Sequence, residues 1–276
     1  MAELTPDAHP TLEVEGLTKQ FRGLVAVDDV TFRVRKSIVH GLIGPNGAGK
    51  TTVFNMISGV LPATAGSIRL LGEPLDELPT WERTKRGVAR TFQNIRMFAD
   101  MSVIENVVTG MHSRLKSNIG SILIRQGNFR KEEKEAKAIA REQLAFVGLD
   151  QAADRRAGDL SYGDQRRLEI ARALSSQPRI VLLDEPAAGM NPAETHALIP
   201  LLQRLRDERG LTLLIVEHDM HLVMSLCDRI TVINFGKKIA EGTPAEVREH
   251  PAVIEAYLGH KADDKKPTAP ASTVTS

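Results

Sequence analysis

Gly44-Pro45-Asn46-Gly47-Ala48-Gly49-Lys50-Thr51-Thr52 decides how this chain is read. The stretch fits GxxxxGK[ST], a loop whose backbone N–H groups surround nucleotide phosphates. Its context is the required one. Ile38, Val39, Leu42 and Ile43 before it read as a buried strand, and Lys50 to Ser58 after it read as a helix stopped by Gly59. The glycines let the backbone bend around the phosphates, and the helix N-terminus adds partial positive charge. Lys50 is expected to reach the β- and γ-phosphates of a bound nucleotide, and Thr51 to offer its hydroxyl to Mg²⁺. A plain glycine-rich turn would explain the glycines, but not the strand and helix on either side.

Composition narrows the class. The 276 residues suit one large α/β domain or a domain with a subdomain, and 42% apolar content is enough for a substantial core. Lys and Arg total 36 against 35 Asp and Glu, so no overall charge draws the chain to nucleic acid or anionic lipid. A single cysteine, Cys227, excludes an internal disulfide framework. No apolar run approaches the ~18 residues of a spanning helix, and the N-terminus lacks a basic-then-apolar leader. The chain reads as soluble and cytoplasmic.

Outward from the loop, further polar residues fall at the ends of apolar segments. Leu12 to Glu15 and Val30 to Val34 alternate as half-buried strands do, with Phe21 between them in a polar, turn-prone stretch where an aromatic could stack on a base. Ser67 to Leu71 reads as another strand, and Gln93 follows a short β-prone run from Gly87. Residues 102 to 159 carry helical spacing and no strand signal. Ser102 with Glu105 resembles a capping box, and the charge run from Arg130 to Glu135 reads as a solvated helix face. Ile119 to Phe129 is moderately apolar and is read either as packing or as a partner surface. Ser161 and Gly163 open the helix of Gln165 to Leu174, where a hydroxyl and free N–H groups could meet an anion.

Ile180 to Leu183 is a run of four aliphatics ending in Asp184 and Glu185. Acids at the C-terminal end of a buried strand lie where ligands bind in α/β folds. Asp184 there can hold a metal through water, and Glu185 can polarise an attacking water. Thr212 to Val216 is a similar strand, and it delivers His218 to the same edge, with Asp219 capping the next helix. Leu198, Leu201, Leu202 and Leu205 mark a helix that Pro200 should bend or make irregular. A hairpin around Phe235-Gly236, a capped helix from Thr243 and an amphipathic helix near Val253 to Leu258 complete the ordered chain. Lys261 to Ser276 has almost nothing to bury and should be disordered.

These motifs, in this order, resemble the ATP-binding subunits of ABC transporters over roughly residues 12 to 259. The resemblance implies a P-loop NTPase of ABC ATPase type, a mixed sheet with flanking helices. It also implies an N-terminal antiparallel β part and an inserted helical subdomain at about 100–175, leaving 1–11 as an extension and 260–276 as a tail. Gly44 to Thr52 matches the Walker A loop and Gln93 the Q-loop. Ser161 and Gly163 match the signature, Asp184 and Glu185 Walker B, Ala188 to Pro192 the D-loop and His218 the switch histidine. Phe21 becomes the expected adenine-stacking residue. The segments Val88 to Phe98, Ser161 to Arg172, Asp184 to Pro192 and Pro251 to Gly259 are similar to the branched-chain amino acid importer ATPases. Tyr162, Asp164 and Asn191 depart from the general pattern, and such variants occur in that group.

In the family mechanism two such subunits sandwich two ATP molecules head to tail, each loop facing the partner's signature. Thr51, Gln93 and Asp184 then hold Mg²⁺, Glu185 is the general base, and His218 contacts the γ-phosphate. The implied partners are a second ATPase subunit, a transmembrane permease and, indirectly, a periplasmic solute-binding protein, with no nucleic acid. The implied place is the cytoplasmic face of the inner membrane, as a peripheral subunit. Three other readings compete. A lipid or lipopolysaccharide exporter ATPase shares most motifs. A soluble ABC ATPase of ribosomes or DNA usually carries paired domains or coiled-coil or zinc insertions, which this chain lacks. A P-loop kinase has no place for the signature or the switch histidine.

Overall fold

A computed structural model describes residues 10–112 and 127–263. The chain opens with β1 (Leu12–Phe21), β2 (Leu24–Val34) and β3 (Val39–Ile43), then α1 (Lys50–Ile57), β4 (Ala65–Leu70), β5 (Glu73–Pro74), α2 (Thr80–Arg86) and β6 (Val88–Arg90). Helices α3 (Val103–Thr109), α4 (Gly127–Val147) and α5 (Tyr162–Ser175) follow. The rest is β7 (Ile180–Asp184), α6 (Pro192–Asp207), β8 (Thr212–Val216), α7 (Met220–Leu226), β9 (Arg229–Asn234), β10 (Lys237–Gly242), α8 (Pro244–Glu249) and α9 (Pro251–Asp263).

Alternation within the short apolar strands divides the core into two layers. The main sheet has the order β10-β9-β3-β8-β7-β6, parallel except for the β9–β10 hairpin. Every residue of β3, β7 and β8 is buried, as parallel strands covered on both faces must be. Successive side chains point to opposite faces. Val181, Leu183, Leu213 and Ile215 join the layer built with helices α3 to α7. Ile180, Leu182, Leu214 and Val216 join the layer with α1 and the antiparallel sheet β2-β1-β4-β5. The expected mixed sheet, flanking helices and N-terminal β part are all present. So are the helices between β6 and β7, where an isolated bridge, Ser102 to Arg156, is the β pairing among the described residues.

Local chemistry fixes the helix ends. Ser102, Asn191 and Thr243 each cap a helix within a reciprocal box, and Asp219 accepts from the N–H groups of His221 and Leu222. Asn191, one of the departures from the general family pattern, caps its helix by accepting from Glu194 N–H at 3.0 Å. Helix α1 has no side-chain cap, which leaves its first N–H groups free for an anion.

Several elements depart from expectation. Phe21 ends β1 and pairs with Leu24, so the turn is confined to Arg22 and Gly23 rather than spread over the polar stretch before it. Those polar residues alternate inward and outward in an antiparallel pair. Helix α2 has no apolar stripe to announce it. Arg83 anchors it, donating to the carbonyls of Leu78, Met56 and Ile57. Pro200 lies inside one continuous helix, on its exposed face, where its ring displaces no core side chain. Helix α9 continues to Asp263, past the expected end at 259. The expected tail beyond 263, residues 119–126 of the apolar segment and residues 1–9 lie outside the described residues. Thr11, at the edge of the expected extension, is buried and its hydroxyl bonds that of Thr212.

Candidate functional site

The C-terminal ends of β3, β7 and β8 bring Lys50, Asp184, Glu185 and His218 to one edge of the main sheet. The phosphate loop is held in shape by close backbone packing. Gly44, Gly47 and Gly49 have φ of 154°, 79° and 103°. A Cβ on Gly44 would lie 2.0 Å from the Ile233 carbonyl oxygen, and one on Gly49 2.7 Å from that of Ala26. Only glycine allows β2 and the β9–β10 hairpin to approach so closely. The Gly236 N–H bonds the Ala48 carbonyl at 3.0 Å from that hairpin, and Ala48 N–H returns to Pro45. Gly44→Ala should therefore lower stability by about 1–3 kcal/mol and weaken nucleotide binding, read by urea denaturation and by titration with a fluorescent ATP analogue.

Lys50 is buried, and its ammonium donates to the Gly44 and Pro45 carbonyls at 2.7 and 2.9 Å. Burial lowers its pKa, and the charge of Glu185 acts against that shift. A cleft of about 450 Å³ opens beside the loop, lined by Gly47 to Thr52 together with Leu24, Val25 and Phe235. Thr51 is exposed there. Phe21 is not among the lining residues. The residue is 43% exposed, and its ring carries the Lys19 ammonium 5.2 Å from its centre. Leu24, Val25 and Phe235 form the apolar wall of this cleft, a grouping that the sequence reading did not single out. Exposed apolar residues at hairpin ends were the available signal. A larger cleft of about 580 Å³, lined by Lys85, Arg86, Arg179 and Arg209, lies at the opposite ends of β6 and β7, away from this chemistry.

Glu185 has a left-handed backbone, φ 46°, fixed by its N–H bond to the Val216 carbonyl. Its Oε2 accepts from the Gln93 amide at 2.9 Å and lies 3.5 Å from His218 Nδ1. Glu217, which sequence reasoning left without a role, is fully buried beneath them. It accepts from the backbone N–H groups of Ala187, His218 and Asp219 at 2.9, 3.1 and 3.5 Å, and so shapes both loops. Burial raises its pKa, and those three bonds oppose the rise. Asp184 is paired with Arg90 at 2.7 Å, both nearly buried, and Arg90 also donates to Asn55 and Ser58 of the α1 segment. An arginine inside a three-residue apolar strand was the unread signal for that contact.

Ser161 and Gly163 form a separate locus at the start of α5. Ser161 Oγ accepts from Asp164 N–H, as an N-cap does, and Gly163 N–H points to Glu194 Oε1 at 3.3 Å. No hydrogen bond among the described residues joins either to the phosphate loop. The departures at this locus have local roles. The Tyr162 hydroxyl donates to the Ala188 carbonyl at 2.9 Å, and Asp164 lies 3.5 Å from Arg167.

Hard oxygen donors, the Thr51 hydroxyl, the Gln93 amide and the Asp184 carboxylate, are those that suit Mg²⁺. Among the described residues no group of three or more His, Cys, Asp or Glu could hold a metal alone. Mg²⁺ usually takes one or two carboxylates together with substrate phosphates and water, a pattern that these three oxygens fit. Among the described residues no helix is long and apolar enough to cross a membrane.

A glycine loop on an uncapped helix, with two acids and a histidine at neighbouring strand ends, defines a nucleotide-hydrolysing P-loop ATPase. The family model "ABC transporter" matches residues 27–188, and the chain belongs to that family. A second model, "Branched-chain amino acid ATP-binding cassette transporter", matches residues 237–263. The chain is 50% identical, over 91% of its length and 99% of the relative, to the high-affinity branched-chain amino acid transport ATP-binding protein BraF of Pseudomonas aeruginosa. It is 47% identical to the protein of the same description, LivG, of Escherichia coli, with the same coverage. Among solved structures, the ADP conformation of an ABC transporter's ATP-binding cassette matches with a TM-score of 0.79 and 33% identity, over 91% of this chain and 99% of that one.

Proposed function

We propose that this chain is the ATP-hydrolysing subunit that powers uptake of branched-chain amino acids (Leu, Ile and Val). It would work at the cytoplasmic face of the inner membrane. The observation carrying the hydrolytic part is the convergence of Gln93 and His218 on Glu185. The substrate class rests on residues 237–263 and the named relatives.

Each residue has a part in this reading. Lys50 exchanges its two carbonyl acceptors for phosphate oxygens, and the free N–H groups of α1 complete the cradle. Leu24, Val25 and Phe235 flank the base, with Phe21 close by across the β1–β2 hairpin. Mg²⁺, when bound, would neutralise phosphate charge. Thr51, Gln93 and Asp184 are the residues to hold it. Glu185 accepts the proton of the attacking water at Oε2, released from the Gln93 amide, and His218 lies beside it for the γ-phosphate.

Ser161 and Gly163 sit on another element, and therefore serve a nucleotide on a second ATPase subunit, of this or a related kind. A transmembrane permease carries the solute and receives it from a periplasmic binding protein. Affinity capture of the tagged chain from detergent-solubilised membranes should recover a polytopic permease and a second ATPase. Reconstituted with a binding protein, the assembly should take up leucine in an ATP-dependent way. Recovery of a lipid or lipopolysaccharide exporter, or of ribosomes, would refute the substrate assignment.

A further inference from the structure

The residues that carry Gln93 lie beyond the end of β6, so their backbone has no sheet ladder to satisfy it. Helix α5 supplies the partners instead. Arg166 is 0% exposed, and its Nη1 donates to the Phe92 carbonyl at 2.6 Å and to Glu169 Oε2 at 2.9 Å. Its Nη2 donates to the Gln93 carbonyl at 2.6 Å. Glu169, 2% exposed, closes the set by accepting from Phe92 N–H at 3.2 Å. The two residues are three apart on the helix and so share one face.

A buried ion pair is a poor stabiliser, because desolvation of both charges offsets their attraction, and apolar residues of similar volume often replace it without loss. Its geometry is harder to replace. A planar guanidinium can meet two successive carbonyls at fixed angles, which a lysine cannot do. Tyr162 extends the connection. Its ring lies 5.8 Å from the guanidinium carbon of Arg166, and its hydroxyl bonds Ala188.

We propose that the Arg166–Glu169 pair is a positioning device that makes the backbone of Phe92 and Gln93 part of helix α5, so that this helix sets the Gln93 amide against Glu185. The proposal rests on the reading of Gln93 and Glu185 as hydrolytic residues. It has a consequence for coupling. Helix α5 starts at Ser161 and Gly163, so the half-site offered to a second subunit and the side chain serving this chain's own nucleotide move as one body.

Two measurements on the full chain test this. Hydrogen exchange should show the Phe92 amide protected like the interior of α5, and about a hundredfold less protected in Arg166→Met/Glu169→Met, which fills the same space without the clamp. That variant should bind a fluorescent ATP analogue within about twofold of the native chain but turn over about tenfold more slowly. In a Gln93→Ala background the same two substitutions should cost less than about twofold further, because the step they act through is already gone. Arg166→Lys keeps the charge, loses the fork and should give a partial loss, which covers the case in which the double variant does not fold. Full turnover in the folded double variant, an undiminished loss in the Gln93→Ala background, or free exchange of the native Phe92 amide would each overturn the proposal. Full turnover in Gln93→Ala alone would instead overturn the hydrolytic reading beneath it, and normal protection at Phe92 would separate the two failures.

Discussion

Glu185→Gln is expected to bind ATP within about twofold of the native chain while turnover falls by at least about a hundredfold, the usual share of a positioned general base. The glutamine keeps the shape and can still accept from the Gln93 amide, so the contact at 2.9 Å and the left-handed backbone set by Val216 survive. What it loses is the capacity to take a proton. It also removes the charge that supports the Lys50 ammonium in the free chain, a small effect on affinity because the phosphate oxygens that Lys50 takes up supply negative charge of their own. With hydrolysis blocked, the ATP-bound pair of subunits should accumulate as a stable dimer in gel filtration. Near-native turnover would remove Glu185 from the role of base.

Lys50→Ala is the counterpart on binding. Hydrogen bonds from a charged donor contribute about 1.5–3 kcal/mol, so the loss should weaken ATP about 10- to 150-fold, measured by equilibrium titration. The free loop should also loosen, since the ammonium spans two of its carbonyls and a methyl group spans none. The cleft beside the loop is otherwise unchanged, so adenosine itself, which has no phosphates, should bind the variant and the native chain alike. Unaltered ATP affinity would show that Gly44 to Thr52 is not the phosphate site.

The sequence made the strand ends legible because burial and function there use different residue types. Four aliphatics before Asp184, or Leu213 to Val216 before Glu217 and His218, mark where the core stops and the edge begins. Capping boxes at Ser102 and Thr243 were legible for the same reason, since their chemistry is local. Arg90, Glu217 and Arg166 were not. Each is a charged residue buried against backbone or against a partner distant in sequence, and only Arg90, within a short apolar strand, carries a local sign of it. Helix α2 was missed because one arginine holds it, and the wall of Leu24, Val25 and Phe235 because it joins two hairpins that meet only in the folded chain.

The alternation of β7 between the two layers also acts as a ruler for the chemistry. Asp184 is the last residue of that strand and Glu185 the first beyond it, so their parity decides that one meets Arg90 and the other Gln93. A shift of β7 by one residue would send Val181 and Leu183 into the wrong layer and, in the same motion, carry one acid into the other's station and the other acid out of the site. Hydrophobic sorting, which has no interest in phosphate, thereby guards the order of the two acids against slippage.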